Sequence, residues 1–417
     1  MKQKKIFPFI MIVCVYFISS CQAQDTIHYD LKKSYGFERL NQDTISHQVK
    51  LSSLFEQLFL QKTEHNQTIN ILHIGDSHLQ ADFMTSLIRT SIQTDFGNAG
   101  RGLIVPYKVA RTNEPYNYAT SSRSYWTAKR CVFADQPLPI GIGGVTISND
   151  TSGASFSVKT INAPGLNYAF NMITLFYDKD FTSYGFDISD SAGVSLGFVS
   201  ASSIDQFANQ NIVTLPAYYN KVNISSKQLN DIQNHATIFG LSLENGKSGV
   251  LYHTVGVNGA KYHNYSQAKY FSQQTKSLSP DLIIISLGTN EAFDPKMDED
   301  TFYAQIQELY IQLKQQNPDA AFILSTPAAS YLPRFKYNPR IVTAAKIINR
   351  FANDNYISCW DLQGITGGAY SASNWKNYKL MQGDGVHYTR SGYELQGSLF
   401  YYAFINAYNS YVGNRLP

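Results

Sequence analysis

Residues 281–290 read Asp-Leu-Ile-Ile-Ile-Ser-Leu-Gly-Thr-Asn. An unbroken apolar run of this kind, stopped by glycine, predicts a strand buried on both faces, as in parallel sheets. Working outward, Phe302, Ile306, Leu309, Tyr310 and Leu313 mark one face of a helix. Residues 321–325 predict a second buried strand, 341–352 a helix, 356–362 a strand and 391–411 a closing helix. Upstream, 51–61 predict a short amphipathic helix and 69–74 a buried strand that ends at Gly75. Phe83, Leu87 and Ile88 have helical spacing within 82–94, and 250–255 form a further strand candidate. Strands alternating with helices predict an α/β fold with a parallel sheet covered on both faces.

Between about 104 and 246 helical periodicity vanishes. Val194, Leu196 and Phe198 alternate with Ser195 and Gly197; Phe239, Leu241 and Leu243 alternate with Gly240, Ser242 and Glu244. Glycine and asparagine clusters punctuate these runs, so residues 104–246 predict a β-sandwich inserted into the α/β domain. The α/β parts are then 51–103 and 247–417. A length of 417 residues agrees, since one core rarely grows past about 250–300 residues. Hydrophobic residues at 43% against 16% charged exclude wholesale disorder.

The first 20 residues read as an export signal: Lys2, Lys4 and Lys5 precede an apolar run, 6–18, too short to span a bilayer. Ile18-Ser19-Ser20-Cys21 resembles a bacterial lipobox, with Cys21 the lipid-modified residue that ties the protein to a membrane. Cleavage near Ala23 is the alternative; either reading exports the chain. Residues 21–50 are polar and read as a tether. Losing the three signal lysines leaves the mature chain without net charge, and no basic patch stands out, which argues against nucleic acid as a partner. Beyond Cys14 and Cys21 only Cys131 and Cys359 remain, far apart, with no metal-binding spacing; they read as buried thiols or one disulfide. His73, His253 and His263 also lack metal-ligand spacing and read as local hydrogen-bonding groups. The sequence sets no oligomeric state.

Four short blocks follow predicted strands. Gly75-Asp76-Ser77-His78 sits on a strand-to-helix turn, which exposes a hydroxyl and aims backbone N–H groups at a reacting carbonyl. Alone it reads first as a helix N-cap on Asp76 or Ser77. Asp384-Gly385-Val386-His387 puts a carboxylate and an imidazole on one turn, where the first can orient the second as a base. Val257-Asn258-Gly259-Ala260 and Gly288-Thr289-Asn290-Glu291 are turns that would bring a close backbone and an amide to the same crevice.

In this order the blocks resemble the SGNH (GDSL-like) hydrolase superfamily, over 69–102 and 249–408. The resemblance implies a flavodoxin-like three-layer α/β/α domain and no metal or organic cofactor. It makes Ser77 the nucleophile, His387 the base and Asp384 its orienting partner. The Ser77 and Gly259 N–H groups and the Asn290 side chain would form the oxyanion hole. His78, the run 96–102, the position of the insertion, and Gly367-Gly368 with Trp375 resemble the peptidoglycan O-acetylesterase branch, in which a carbohydrate-binding-module-like β-sandwich is inserted. Glu291 departs from the Asp that many relatives carry. The implied partner is an acetylated glycan, peptidoglycan first, hemicellulose or capsule second. The alternatives are a lipase or thioesterase, a sugar O-acetyltransferase and a non-catalytic glycan-binding envelope protein. The loop 367–382 leads into Asp384, so Trp375 and Tyr378 on it are expected at the rim, stacked on sugar or packing the loop.

Overall fold

The structure is a computed structural model that describes residues 26–31, 33–133, 138–200 and 210–415. The expected export signal and Cys21 lie outside these residues. The central sheet runs in the order Ile45–Ser46, Ser358–Trp360, Ala321–Ser325, Leu282–Ser286, Thr68–Gly75, Gly249–Gly256. The last five strands are parallel, and Ile45–Ser46 pairs antiparallel at the edge. Numbered along the chain, the five parallel strands have the order 2-1-3-4-5, the flavodoxin-like arrangement. Its topological switch point lies between Thr68–Gly75 and Leu282–Ser286. Ligand crevices form at the carboxyl ends of strands flanking such a point, and the Ser77 and Asn290 blocks follow these two ends.

Both faces of the sheet are buried, as the Ile283-Ile284-Ile285 run demands. Leu72, Ile74, Ile283 and Ile285 share a core with the helices Glu299–Gln316 and Pro339–Asp354. Ile69, Ile71, Leu282 and Ile284 pack instead with Ser52–Glu64, Phe83–Phe96 and the long C-terminal helix Arg390–Asn414. This period-2 division within single strands is what a pleated, doubly covered sheet requires.

The antiparallel strands between residues 118 and 244 form two sheets. One runs Ser195–Val199, Gly185–Ser189, Lys221–Lys227, Ser155–Thr160, Tyr118–Ser121; the other Gln210–Tyr219, Phe170–Tyr177, Ala236–Glu244, Val145–Asn149, Thr127–Arg130. Phe156, Ile188 and Ile224 of the first share a core with Ile147, Leu175 and Ile238 of the second, so the sheets pack face to face. That core is continuous with the Leu72 face of the central sheet. The strand Gly100–Ile104 pairs with Ala236–Glu244, so antiparallel pairing begins slightly before the expected boundary at 104. Leu103 N–H also donates to His253 Nδ1 (3.1 Å), a ring that burial pushes down to about 3 and so keeps as a neutral acceptor.

Two expectations change. Residues 21–50 are not merely a tether: Ile27 exchanges hydrogen bonds with Asn409 (2.9 and 2.8 Å), Tyr29 packs edge-on to Tyr401, and Ile45–Ser46 joins the sheet. Their apolar residues are too irregularly spaced to show a period. The stretch 367–382 is not an open loop either. It contains the helix Ser371–Asn377 and a fully buried Trp375. Cys131 and Cys359 are buried thiols, not joined to each other.

Candidate active site

Ser77 opens the short helix Ser77–Gln80 directly after Thr68–Gly75. Gly75 is needed there, because a Cβ would lie 2.5 Å from Leu79 Cδ1 and 2.9 Å from Ser286 O. Asp76 caps the helix, its Oδ1 accepting from His78 N–H (2.9 Å). The capping and nucleophile readings are therefore compatible: Asp76 caps and Ser77 faces the cleft.

His387 Nε2 lies 3.0 Å from Ser77 Oγ, and its Nδ1 lies 2.7 Å from Asp384 Oδ2. The other Asp384 oxygen accepts from the Val386 and His387 N–H groups, both at 2.9 Å. Partial burial alone would raise the Asp384 carboxyl; hydrogen bonds from the His387 ring and the two N–H groups outweigh it and hold it below the usual carboxylate range. An ionised Asp384 favours the His387 tautomer with Nδ1–H, leaving Nε2 to accept the Ser77 proton.

Gly259 and Asn290 reach the same cleft, of about 480 Å³, as Ser77 and His387. Gly259 has φ +85°, a left-handed conformation that glycine adopts without strain. Among the described residues, neither the Ser77 nor the Gly259 N–H has an acceptor. Asn290 is already engaged: its Nδ2 donates to Asp76 Oδ2 (3.1 Å) and to Ala260 O (3.0 Å). These bonds orient the amide, and one must be shared for it to serve an oxyanion. Burial raises the Asp76 carboxyl to about 7, against the N–H bond from His78 and the nearby His387 charge. Glu291, where the resemblance expected Asp, is buried, and its Oε1 accepts from Tyr262 N–H (2.8 Å). It thereby ties the turn carrying Asn290 to the segment following Gly259. Asn290→Ala is expected to lower kcat by about 10²–10³ with little change in KM; initial-rate kinetics check this, and a pure KM effect would reassign Asn290 to ground-state binding.

Other residues of the site were not read from sequence. Gln80 is buried, donates from Nε2 to Thr112 Oγ1 (2.9 Å) and Asn113 O (2.7 Å), and accepts from Asn258 N–H at Oε1 (2.7 Å). It joins the nucleophile helix to the turn carrying Gly259 and to the chain leading into the antiparallel sheets. A lone Gln on a four-residue helix gives no sequence signal. His78 Nδ1 lies 3.0 Å from Tyr393 OH, and burial together with the nearby His387 charge pushes its ring down to about 3. Asp82 binds Arg89 through both oxygens (2.9 Å each), Arg101 (2.8 Å) and Asn117 (2.6 Å), all buried. Burial opposes its ionisation, but the two guanidiniums hold its carboxyl at about 2. The network fixes the turn behind Ser77. His73 is likewise a buried hydrogen-bonding group, between Tyr252 OH and Ser286 Oγ (2.7 Å each).

Trp375 and Tyr378 do not line the cleft. Trp375 packs between Phe37 (5.2 Å) and Tyr388 (4.8 Å), and Tyr378 stacks on Phe37 (5.6 Å). The N-terminal stretch that seemed a tether supplies Tyr35 and Phe37, which cover these rings. Trp375→Ala is therefore expected to cost roughly 3–5 kcal/mol of stability. Calorimetry should show a lowered Tm, and hydrolysis of small and polymeric esters should fall together; a loss confined to polymer would restore the subsite reading.

Residues 235–395 match the GDSL-like Lipase/Acylhydrolase family. The match contains Gly259, Asn290, Asp384 and His387, while Ser77 lies before it, on the far side of the antiparallel strands. A solved peptidoglycan O-acetylesterase superposes with a TM-score of 0.70 at 20% identity, covering 90% of this chain and 98% of that one. A family two carbohydrate esterase from Clostridium thermocellum is 12% identical over 70% of this chain and 98% of that one, with a TM-score of 0.30. A GDSL-like lipase from Bacteroides thetaiotaomicron is 21% identical over 36% and 72%, with a TM-score of 0.27. No curated protein matches the sequence. The chain thus carries a GDSL-like lipase/acylhydrolase domain, and it shares its fold along nearly its whole length with the peptidoglycan O-acetylesterase.

Proposed function

We propose that the protein is an exported serine esterase that removes O-acetyl groups from a polysaccharide, with peptidoglycan the favoured substrate. The observation that carries the chemistry is the hydrogen-bonded line Asp384–His387–Ser77, ending in a cleft shared with Gly259 and Asn290. The Ser77 proton passes to His387 Nε2 as Oγ attacks the ester carbonyl. Negative charge develops on the carbonyl oxygen, within reach of the Ser77 and Gly259 N–H groups and the Asn290 amide. As the tetrahedral intermediate collapses, His387 returns the proton to the departing sugar oxygen, leaving acetyl-Ser77. A water deprotonated by His387 then releases acetate and restores the serine.

The substrate rests on different support: the signal-like N-terminus with Cys21, which would place the enzyme in the bacterial envelope on a lipid anchor, and the fold shared with the peptidoglycan O-acetylesterase. The test is acetate release from O-acetylated peptidoglycan and from acetylated xylan, matched in ester content. Faster release from peptidoglycan is expected; preference for xylan would move the enzyme to hemicellulose, and release from neither would end the glycan reading.

A further inference from the structure

One wall of the cleft is aromatic. Phe83 begins the helix Phe83–Phe96 and lines the cleft. Its ring is nearly parallel to Tyr116 (centroids 5.2 Å, 19° between planes) and to Tyr393 (6.4 Å, 21°). The Arg390 guanidinium lies over both Tyr116 (4.9 Å) and Phe83 (5.7 Å) while its Nε donates to Glu394 (2.8 Å). Tyr116 OH donates to Ser86 Oγ (3.1 Å), yet the residue remains 44% exposed. The ring is thus held at its rim and by the cation, with part of its surface uncovered, beside the Phe83 ring that lines the cleft.

This wall is composite. Phe83, Tyr393 and Arg390 come from helices of the α/β part, whereas Tyr116 comes from the chain between the antiparallel strands Gly100–Ile104 and Tyr118–Ser121. That same chain brings Asn113 to the cleft, which Asn258 from the Gly259 turn also lines. Neither Asn side chain makes a hydrogen bond among the described residues, although the backbone of each is gripped by Gln80. A pre-formed aromatic face beside two open amides is amphipathic in the way a pyranose is. The sugar's C–H patch covers an aromatic ring, and its hydroxyl or acetamido groups meet donors and acceptors that can switch role.

We propose that Phe83 and Tyr116, with the Asn113 and Asn258 amides, form the subsite that holds the sugar ring bearing the ester. The proposal rests on the esterase reading of Ser77 and names where its glycan lies. It also gives the antiparallel region a part in the site, because Tyr116 and Asn113 are placed there by strands of both its sheets.

The test separates binding from turnover by using Ser77→Ala protein. Binding of a peptidoglycan tetrasaccharide of alternating N-acetylglucosamine and N-acetylmuramic acid is measured by calorimetry, with xylotetraose as the second probe. Adding Tyr116→Ala is expected to weaken tetrasaccharide binding about five- to tenfold, the scale of one ring contact, whereas Tyr116→Phe retains it. Asn113→Ala, at an exposed position, should act in the same direction. Unchanged affinity in both Tyr116→Ala and Asn113→Ala, or no binding before either change, overturns the subsite. Tyr116-dependent binding of xylotetraose alone keeps the subsite and overturns the choice of peptidoglycan. Tyr116-dependent binding in a protein whose wild type hydrolyses no acetyl ester keeps the subsite and overturns the esterase reading.

Discussion

Ser77→Ala is expected to lower kcat by about 10⁶ while the melting transition stays that of the wild type. The hydroxyl is half-buried at a helix start and, among the described residues, its only side-chain partner is His387, at 3.0 Å. Removing one oxygen there leaves no cavity in the core, and the turn is held independently by the Asp76 cap and the Asp82 network. The barrier loses its covalent route: His387 can still polarise a water, but no acyl-enzyme forms. Acetate release from a soluble acetyl ester, followed beside differential scanning calorimetry, checks both halves. Turnover near the wild-type rate in folded Ser77→Ala protein would sink the esterase reading of this cleft.

Asp384→Asn comes next, with an expected fall in kcat of about 10⁴ and little change in KM. The amide oxygen can still accept from the Val386 and His387 N–H groups, so the turn keeps its shape. The amide nitrogen facing His387 Nδ1 is a donor, however, and favours the tautomer protonated on Nε2, which cannot take the Ser77 proton. The sign of the wild-type pH effect follows from the depressed Asp384 carboxyl. Its contribution is present above the ordinary carboxylate value and is lost as pH falls through the lower folded value. Steady-state kinetics should show the variant slow across neutral pH. If Asp384→Asn keeps most of its turnover, another group orients His387.

The four candidate blocks were legible because they sit where strands end. A run such as 281–287, short, rich in isoleucine and stopped by glycine, reads as a buried strand, and that glycine marks the carboxyl edge where α/β folds place ligands. The aromatic residues were not legible in the same way. Trp375, among small polar residues, resembles a rim residue until Phe37 is found covering it from more than 300 positions away. Tyr116 carries no local mark of function, and it stacks on Phe83 only because the chain joining Gly100–Ile104 to Tyr118–Ser121 passes beside that helix.

The chain alone therefore determined the parallel sheet, the antiparallel character of its middle third and the four blocks, since each is written in local periodicity or in turn residues a few positions apart. Tertiary structure alone decided the 2-1-3-4-5 strand order, the docking of residues from Ile27 onward, the engagement of Asn290 by Asp76 and Ala260, and which aromatic rings face the cleft. The reason is range. Periodicity reports which side of an element is buried, through contacts a few residues apart. A ring's partner or an amide's acceptor is set by packing between segments that sequence order does not relate, such as Phe37 with Trp375 and Asp76 with Asn290.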